Sequence, residues 1–217
     1  MIMKKVFLAL IFAGITAMSA QAQTYFAGGA LGVDYNDGKY SSGSTTTNRP
    51  STISFEISPI IGYYLSENLG VGMMINIGMS TWNDRADDPT KNKSFDWGFG
   101  PFLRYTVLTR GDFSILMQGG AGIFGSSSKV TYGNTTDKGP STFGFDIGIM
   151  PLLSYSLTDR VSLEVSSNLA RFGFTMETEK TGSGDSQQKE TESSIGFGVD
   201  SFDFFRSPYQ IGMIFKF

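Results

Sequence analysis

The side chains of this sequence that could carry out chemistry are mainly carboxylates. With neither His nor Cys among its 217 residues, the chain lacks the commonest general base, the thiolate nucleophile and the preferred ligands of transition metals. Catalysis would have to rely on carboxylates such as Glu56, Asp96 and Glu164, and the sequence places no nucleophile beside them. We therefore predict that the protein is not an enzyme and has no catalytic, metal-binding or cofactor-binding residues.

Two motifs resemble ligand sites without meeting their requirements. The segment from Gly120 to Gly125 fits the dinucleotide pattern GxGxxG, but that pattern needs a following helix to hold the pyrophosphate, and here an alternating strand pattern continues. Asp84, Asp87 and Asp88 lack the regular oxygen spacing and the Gly of a calcium loop. We expect neither motif to bind its ligand.

The composition is that of one ordered domain. The chain is 40% hydrophobic and 14% aromatic, with 27 Gly, only 17% charged residues and a net charge of -3. The apolar fraction is too high for a disordered chain, and the length suits a single domain. The negative charge predicts that nucleic acid is not a partner.

Residues 1–22 have the parts of a secretory signal peptide. Lys4 and Lys5 precede an apolar stretch, which is followed by the small-residue sequence from Ala20 to Ala22. Because about a dozen apolar residues are too few for the ~20 that a membrane-spanning helix needs, we expect cleavage after Ala22. Residues 23–217 then form one exported domain.

From Tyr25 onward the sequence alternates with a period of two. Large apolar residues occupy odd positions, and Gly, Ser or charged residues occupy even ones, most clearly from Leu69 to Ser80. This pattern is typical of β-strands with two different faces. Eight such segments occur, at about 25–35, 52–64, 69–79, 94–107, 113–124, 142–156, 161–165 and 209–217.

The connections between these segments alternate between two kinds. Tight turns at 66–68, 109–111 and 158–160 alternate with four long polar segments at 36–50, 81–93, 125–141 and 175–200. An open sheet of eight long strands would leave two unpaired edges. The sequence therefore predicts an all-β fold, an eight-stranded antiparallel up-and-down barrel.

Three prolines mark an internal repeat. Pro59, Pro101 and Pro151 each begin a Pro-x-x-x-Tyr segment a few residues before a tight turn. Each Pro removes one donor from the strand ladder. We expect a bulge or a missing backbone bond at each of the three.

The two faces of the strands indicate a barrel in a membrane rather than a soluble, lipocalin-like barrel with its apolar face inward. The even face is rich in Gly and Ser, which suits a narrow lumen, and the odd face carries aromatic residues near strand ends, as in interfacial girdles. Those aromatic residues are Tyr25, Tyr35, Phe55, Tyr63, Phe95, Trp97, Tyr105, Phe143, Phe145, Tyr155, Tyr209, Phe215 and Phe217.

The C-terminal residues and one internal segment resemble a known family. The chain ends on the alternating residues Tyr209, Ile211, Met213, Phe215 and Phe217, which resemble the assembly signal of outer-membrane barrels. The segments 58–63 and 67–72 resemble the outer membrane protein beta-barrel domain family of Gram-negative bacteria, small porin-like barrels of the OmpX and OmpW type.

The resemblance covers essentially the whole mature chain and carries expectations about location and partners. It implies a transmembrane β-barrel in the Gram-negative outer membrane, surrounded by outer-membrane lipid and lipopolysaccharide, inserted by the barrel assembly machinery, and with no shared catalytic motif. Region 175–206 departs from a simple hairpin. Ile195 to Val199 could add a strand there, so ten strands is the structural alternative.

The even-numbered residues predict a filled lumen. A layer of large apolar side chains lies a few residues from the tight turns: Phe26, Ile60, Met74, Phe102, Leu116, Leu152 and Ile214, with Glu164 or Ser162 on the seventh strand. An eight-stranded barrel is only wide enough for its own side chains. We therefore expect this layer to close the barrel to ions.

Polar residues lie on both sides of this layer. We place Glu56, Asp96 and Asp146 on the side of the long segments, and Arg104 and Lys216 near the tight turns. Arg171 has the parity of the outer face, so we expect water, or cations from the loops, to neutralise the three carboxylates. A cation site is the alternative to simple solvation.

The sequence thus predicts a small outer-membrane barrel whose constant part is a scaffold. Its four long segments would lie outside the cell and interact with an extracellular ligand or partner. The alternative is a narrow transport barrel for small hydrophobic solutes.

Overall fold

The structure is a computed structural model, and it is an all-β protein. It describes residues 25–37, 39–42, 45–48, 50–84, 90–167, 171–182, 187–197 and 209–217. The predicted signal peptide, and Asp87 and Asp88, lie outside these residues. Within these ranges there are twelve strands: β1 Tyr25–Asn36, β2 Lys39–Ser42, β3 Thr45–Asn48, β4 Ser51–Tyr64, β5 Leu69–Asn83, β6 Thr90–Arg110, β7 Phe113–Tyr132, β8 Thr135–Thr158, β9 Val161–Ser167, β10 Phe172–Thr181, β11 Gln188–Phe197 and β12 Tyr209–Lys216.

Eight of these strands close into an antiparallel barrel, which confirms the predicted fold class. Around the ring the order is β1, β4, β5, β6, β7, β8, β9 and β12. The ring closes because β12 pairs with β9 on one edge and with β1 on the other, where Phe26 lies opposite Lys216. The closed barrel therefore leaves no free edge over this part of the molecule.

The barrel has two different ends. Tight turns join β4 to β5, β6 to β7 and β8 to β9 at one end, which also holds the start of β1 and the end of β12. We call this the turn end and the opposite one the hairpin end. A positive φ of 60° at Gly111 in the β6–β7 turn explains the glycine there, because other residues rarely adopt that conformation.

Over the residues that the structure describes, the long polar segments are largely strands and not loops, which corrects the sequence interpretation. β7 and β8 continue through most of 125–141 and meet at a turn where Gly133 has φ 54°. Within 36–50, β2 and β3 form a separate two-stranded sheet. The reason is that Thr is enriched in strands and that a strand with both faces in water needs no apolar residues, so polarity alone does not indicate a loop.

Region 175–200 forms the two strands added to the barrel. β10 pairs with the part of β8 beyond β9, and β11 pairs with β10 over Gln188–Phe197. The proposed additional strand from Ile195 to Val199 is thus seen, as far as Phe197, in β11 on the edge of β10. The closed ring keeps eight strands, so the ten-stranded alternative is wrong for the barrel itself.

An odd insertion separates β9 from β10. On β8, Leu152 pairs with Ser166 in β9, whereas Ile149 pairs with Phe172 in β10. Between these two pairs β8 advances by three residues, whereas the chain from β9 to β10 advances by six. The β9–β10 side thus contains three extra residues. Because the side-chain period of a strand is two, an odd excess exchanges the faces, and in β10 odd residues such as Gly173 point inward.

On the other barrel strands the parity follows the prediction as far as the register shifts at Thr106/Leu108, Ser127/Lys129 and Ser156/Thr158. On β4, β5 and β6 the odd residues Ile57, Ile75 and Phe99 are exposed, whereas the even residues Ser58 and Asn76 are buried. The outward apolar residues form a continuous apolar belt around the barrel. The described residues include no helix long and apolar enough to span a bilayer.

The pairing is interrupted at the prolines, as predicted. The β4–β5 ladder has no pair at Pro59, and the β6–β7 ladder has none at Pro101, although the register is unchanged on either side. Pro151 lies where β8 changes its partner from β9 to β10. Each proline thus sits where its missing N–H costs no ladder bond.

The interior is packed by placing large side chains over glycines on neighbouring strands. The ring of Phe26 lies over Gly62, and a Cβ on Gly72 would come within 2.5 Å of Cζ of Phe102. Neither ring would fit if the glycine beneath it were replaced by a larger residue. The inward glycines therefore determine where the large side chains fit.

We expect Phe26→Ala to lower the free energy of unfolding of the barrel in detergent by about 3–5 kcal/mol, because it leaves a cavity in the packed interior. Phe26 is fully buried. The matched control is Tyr132→Ala at the exposed tip of β7, which should change it by about 0.5 kcal/mol or less. Equal effects in urea titrations would contradict this description of the interior.

Candidate functional site

The lumen holds the residues that the sequence predicted as an apolar layer. Phe26, Ile60, Phe102 and Ile214 form one buried cluster, and Leu116 and Leu152 belong to a second one with Phe124 and Met150. Met74 is partly buried and packs against both clusters. The layer is therefore a pair of clusters joined by Met74. Phe124, Met150 and Tyr64 also belong to or pack against these clusters and were not predicted in the layer, although their even numbers indicate an inward position.

A buried ion pair lies directly beside the first cluster. Nη1 of Arg104 donates a hydrogen bond of 2.8 Å to Oε1 of Glu164, and its Nε and Nη2 donate to Oε1 of Gln118 at 3.2 and 2.7 Å. The guanidinium also lies 5.5 Å from the ring centroids of both Phe26 and Phe102. The cation is thus satisfied by a carboxylate, an amide and two aromatic faces.

A second buried ion pair was not predicted. Arg171 donates to Oδ1 of Asp146, whose other oxygen accepts a hydrogen bond of 3.3 Å from Thr175. The expectation that Arg171 faces outward, and that water or cations neutralise Asp146, is therefore wrong. The odd insertion before β10 turns Arg171 inward, and nothing in the local sequence marks that insertion.

Gly148 provides the space for this arginine. A Cβ at Gly148 would lie 2.7 Å from Nε and 2.8 Å from Nη2 of Arg171. Its nearest neighbours are atoms of that side chain alone. Glycines on neighbouring strands therefore make room for the charged side chain of Arg171 as well as for the aromatic rings.

Polar networks occupy the lumen above the clusters. Ser58 donates to Oδ1 of Asn76, and Nδ2 of Asn76 donates to Oε1 of Glu56 at 2.6 Å. Further toward the hairpin end, the hydroxyls of Ser80 and Ser94 are 2.7 Å apart, and Ser94 donates to Asp96 at 3.4 Å. Glu56 is thus held by an amide from the neighbouring strand.

The upper lumen encloses a vestibule of about 610 Å³. Its floor includes Glu56, Asn76 and Phe124, and its walls rise past Asp96 to Trp82. Below it, two cavities of about 30 Å³ each adjoin Met74. A cavity of that size holds one or two water molecules, so the space in the described lumen narrows sharply at the two clusters.

The remaining predicted site residues lie on β12 or directly after it. Lys216 pairs with Phe26 at the start of β1 and is half-buried. Ile211, Met213 and Phe215 face outward on β12, and the backbone N–H of Phe217 donates to the carbonyl of Tyr25. Tyr209 begins β12 opposite Ser167.

The first rejected motif lies within a strand, and of the second only Asp84 is among the described residues. Gly120 to Gly125 lie within β7, which continues to Tyr132 with no helix after it. Asp84 follows β5, and its N–H donates to the carbonyl of Thr90. Within the described ranges, no group of three or more acidic side chains is arranged to hold a metal ion.

We expect Arg171→Gln to lower the free energy of unfolding by about 3–5 kcal/mol, because it leaves Asp146 charged, buried and unpaired. Arg171→Gln combined with Asp146→Asn removes both charges and should restore most of the loss. The control is Arg110→Gln at the exposed end of β6. Failure of the double variant to recover in urea titrations would contradict the pairing.

Solved structures of small barrels resemble this chain only distantly. Neisserial surface protein A is 16% identical over 90% of this chain and 98% of its own, with a TM-score of 0.38. Ail of Yersinia pestis is 8% identical over 90% and 100%, with a TM-score of 0.43. A major outer membrane protein of Thermus thermophilus is 12% identical over 91% and 100%, with a TM-score of 0.47. No curated protein matches the sequence.

The family assignment rests on a match along most of the chain. The outer membrane protein beta-barrel domain matches residues 7–200. The closed eight-stranded ring and the exposed apolar belt agree with this match. The chain therefore belongs to the outer membrane protein beta-barrel domain family and is a small β-barrel of the Gram-negative outer membrane.

Proposed function

We propose that this barrel is a closed outer-membrane scaffold whose hairpin end interacts with partners outside the cell. The single observation that supports it best is the filled lower lumen. Two buried clusters and the Arg104–Glu164 ion pair occupy its cross-section near the turn end. A scaffold of this kind needs no catalytic group, and the chain has neither His nor Cys.

The proposal that the lumen is closed follows from its size and contents. Eight strands enclose a space just wide enough for side chains. Here the space is shared by aromatic rings, an ion pair and Met74, and the adjoining cavities measure about 30 Å³ each. An ion crossing this region would have to displace buried side chains and break a salt bridge.

The hairpin end supports the surface role. β7 and β8 extend to Tyr132 and Thr135, well beyond the outward aromatic residues Trp97 and Phe143. At the other end the strands are joined by turns of only a few residues, as on the periplasmic side of outer-membrane barrels. We propose that the hairpins lie outside the cell.

We expect no steady openings of porin size when the folded protein is added to planar bilayers, because the clusters block the lumen. Phe102→Ala combined with Leu116→Ala should introduce leakage currents, since it removes one large side chain from each cluster. A wild-type protein that conducts steadily would contradict the closed scaffold.

The same double variant tests the transport alternative. The vestibule of about 610 Å³ above the clusters could hold a small apolar solute, which would leave through a displaced cluster. Lost uptake of an apolar solute in cells expressing the variant, without any ion leakage in bilayers, would favour transport. Tyr132→Ala serves as the control because Tyr132 is exposed and distant from both clusters.

We expect an external protease acting on intact cells to cut within 36–50, 81–93, 125–141 and 175–200, and to leave the tight turns uncut. The turns at 66–68, 109–111 and 158–160 should become accessible only after the outer membrane is broken. Mass spectrometry of the fragments checks the sites. Cuts confined to the tight turns in intact cells would reverse the proposed orientation.

A further inference from the structure

Six lysines lie on the outward face of the barrel at its hairpin end. We call them the lysine belt: Lys91, Lys93, Lys129, Lys138, Lys180 and Lys189. All six are exposed. They come from five neighbouring strands, β6, β7, β8, β10 and β11.

The strand register brings like charges directly opposite one another. Lys129 of β7 lies between Lys93 of β6 and Lys138 of β8. On the next pair of strands, Lys180 lies opposite Lys189. Directly opposed side chains have Cβ atoms about 5 Å apart, and like charges in such pairs are destabilising. The sheet is therefore paired in a register that concentrates positive charge on its outer face.

No described side chain neutralises these lysines. The salt bridges within the described ranges are those of Arg104 and Arg171, both in the lumen. The carboxylates of β10 and β11 lie on the inward face, where Glu177 is opposite Glu192 and Glu179 is opposite Glu190. The sheet thus separates cations outside from carboxylates inside, and an external anion bound to the belt would relieve the repulsion between its lysines.

The distance of the lysine belt from the apolar belt indicates which anion it binds. Lys93 is the next outward residue after Phe95 at the edge of the apolar belt, and Lys180, which lies opposite Lys189, is four residues beyond the outward Met176. At the usual strand rise and tilt, the six lysines lie about 5–10 Å beyond the apolar edge. An ordinary headgroup layer is about 5–7 Å deep, so the upper lysines reach beyond it, to the depth of a headgroup built from phosphorylated sugars.

We propose that the lysine belt binds the phosphate groups of lipopolysaccharide on one side of the barrel. The lipid whose acyl chains cover the apolar belt brings its phosphorylated headgroup to these lysines, which then take the place of the divalent cations that otherwise bridge such headgroups. This inference rests on the proposed orientation, with the hairpin end outside the cell.

The test measures lipopolysaccharide retained by the folded protein in nonionic detergent with a chelator of divalent cations present. We expect Lys129→Gln combined with Lys138→Gln to weaken retention at least about tenfold, since each surface lysine contributes about fivefold to binding at an anionic lipid surface. Lys129→Arg combined with Lys138→Arg should retain the lipid. Arg110→Gln combined with Arg160→Gln removes two exposed charges at the turn end and should have no effect.

The other arms separate the sources of phosphate. Phosphatidylglycerol should be retained more weakly than lipopolysaccharide, and inorganic phosphate should not displace the bound lipid. Equal retention by the wild type and the Lys129→Gln, Lys138→Gln variant would overturn the inference, as would equal retention of phosphatidylglycerol or displacement by inorganic phosphate. Heat-modifiable migration on a denaturing gel confirms that each variant is folded.

This experiment and the protease test can fail independently. External cuts at the hairpins without lysine-dependent retention would overturn the belt and leave the scaffold intact. Lysine-dependent retention with cuts only at the tight turns would overturn the orientation.

Discussion

The width of an eight-stranded barrel is the constraint on which the rest of this structure depends. The space inside is so narrow that a large inward side chain fits only where a neighbouring strand offers glycine. Phe26 lies over Gly62, Phe102 over Gly72, and Phe124 over Gly144. The glycine-rich inner face is thus the complement of the large side chains, and both are needed for a closed ring.

The same constraint governs the charged residues of the lumen. Because there is little room for water beside the clusters, a buried charge must find its partner among the side chains themselves. Arg104 reaches across the barrel to Glu164, and Arg171 reaches Asp146 over the space left by Gly148. The ion pairs and the apolar clusters therefore fill the interior jointly.

The period of two made most of the fold predictable from the sequence. It identified the barrel strands and the residues on each face, since a strand with one lipid-facing side must alternate. It failed at Arg171, because three extra residues between β9 and β10 exchange the faces and nothing in the local sequence marks their number as odd. The strand ends were also mislocated, because solvated strands such as the tips of β7 and β8 need no apolar face.

Partner choices inside the lumen were the least predictable part. Parity indicates that Arg104 and Glu164 point inward, but not that they meet, since they are far apart in sequence and their meeting depends on the tilt of the strands around the ring. Gln118 accepts two hydrogen bonds from Arg104. Its even number indicated an inward position, but nothing in the sequence indicated this contact.

The insertion between β9 and β10 has a consequence for how such a chain can change during evolution. A gain or loss of two residues there would keep the inner and outer sides of β10 as they are, whereas a gain or loss of one or three would turn Phe172 and Met176 into the lumen and expose Arg171 to lipid. Length variation at this junction should therefore be tolerated in even steps and selected against in odd ones.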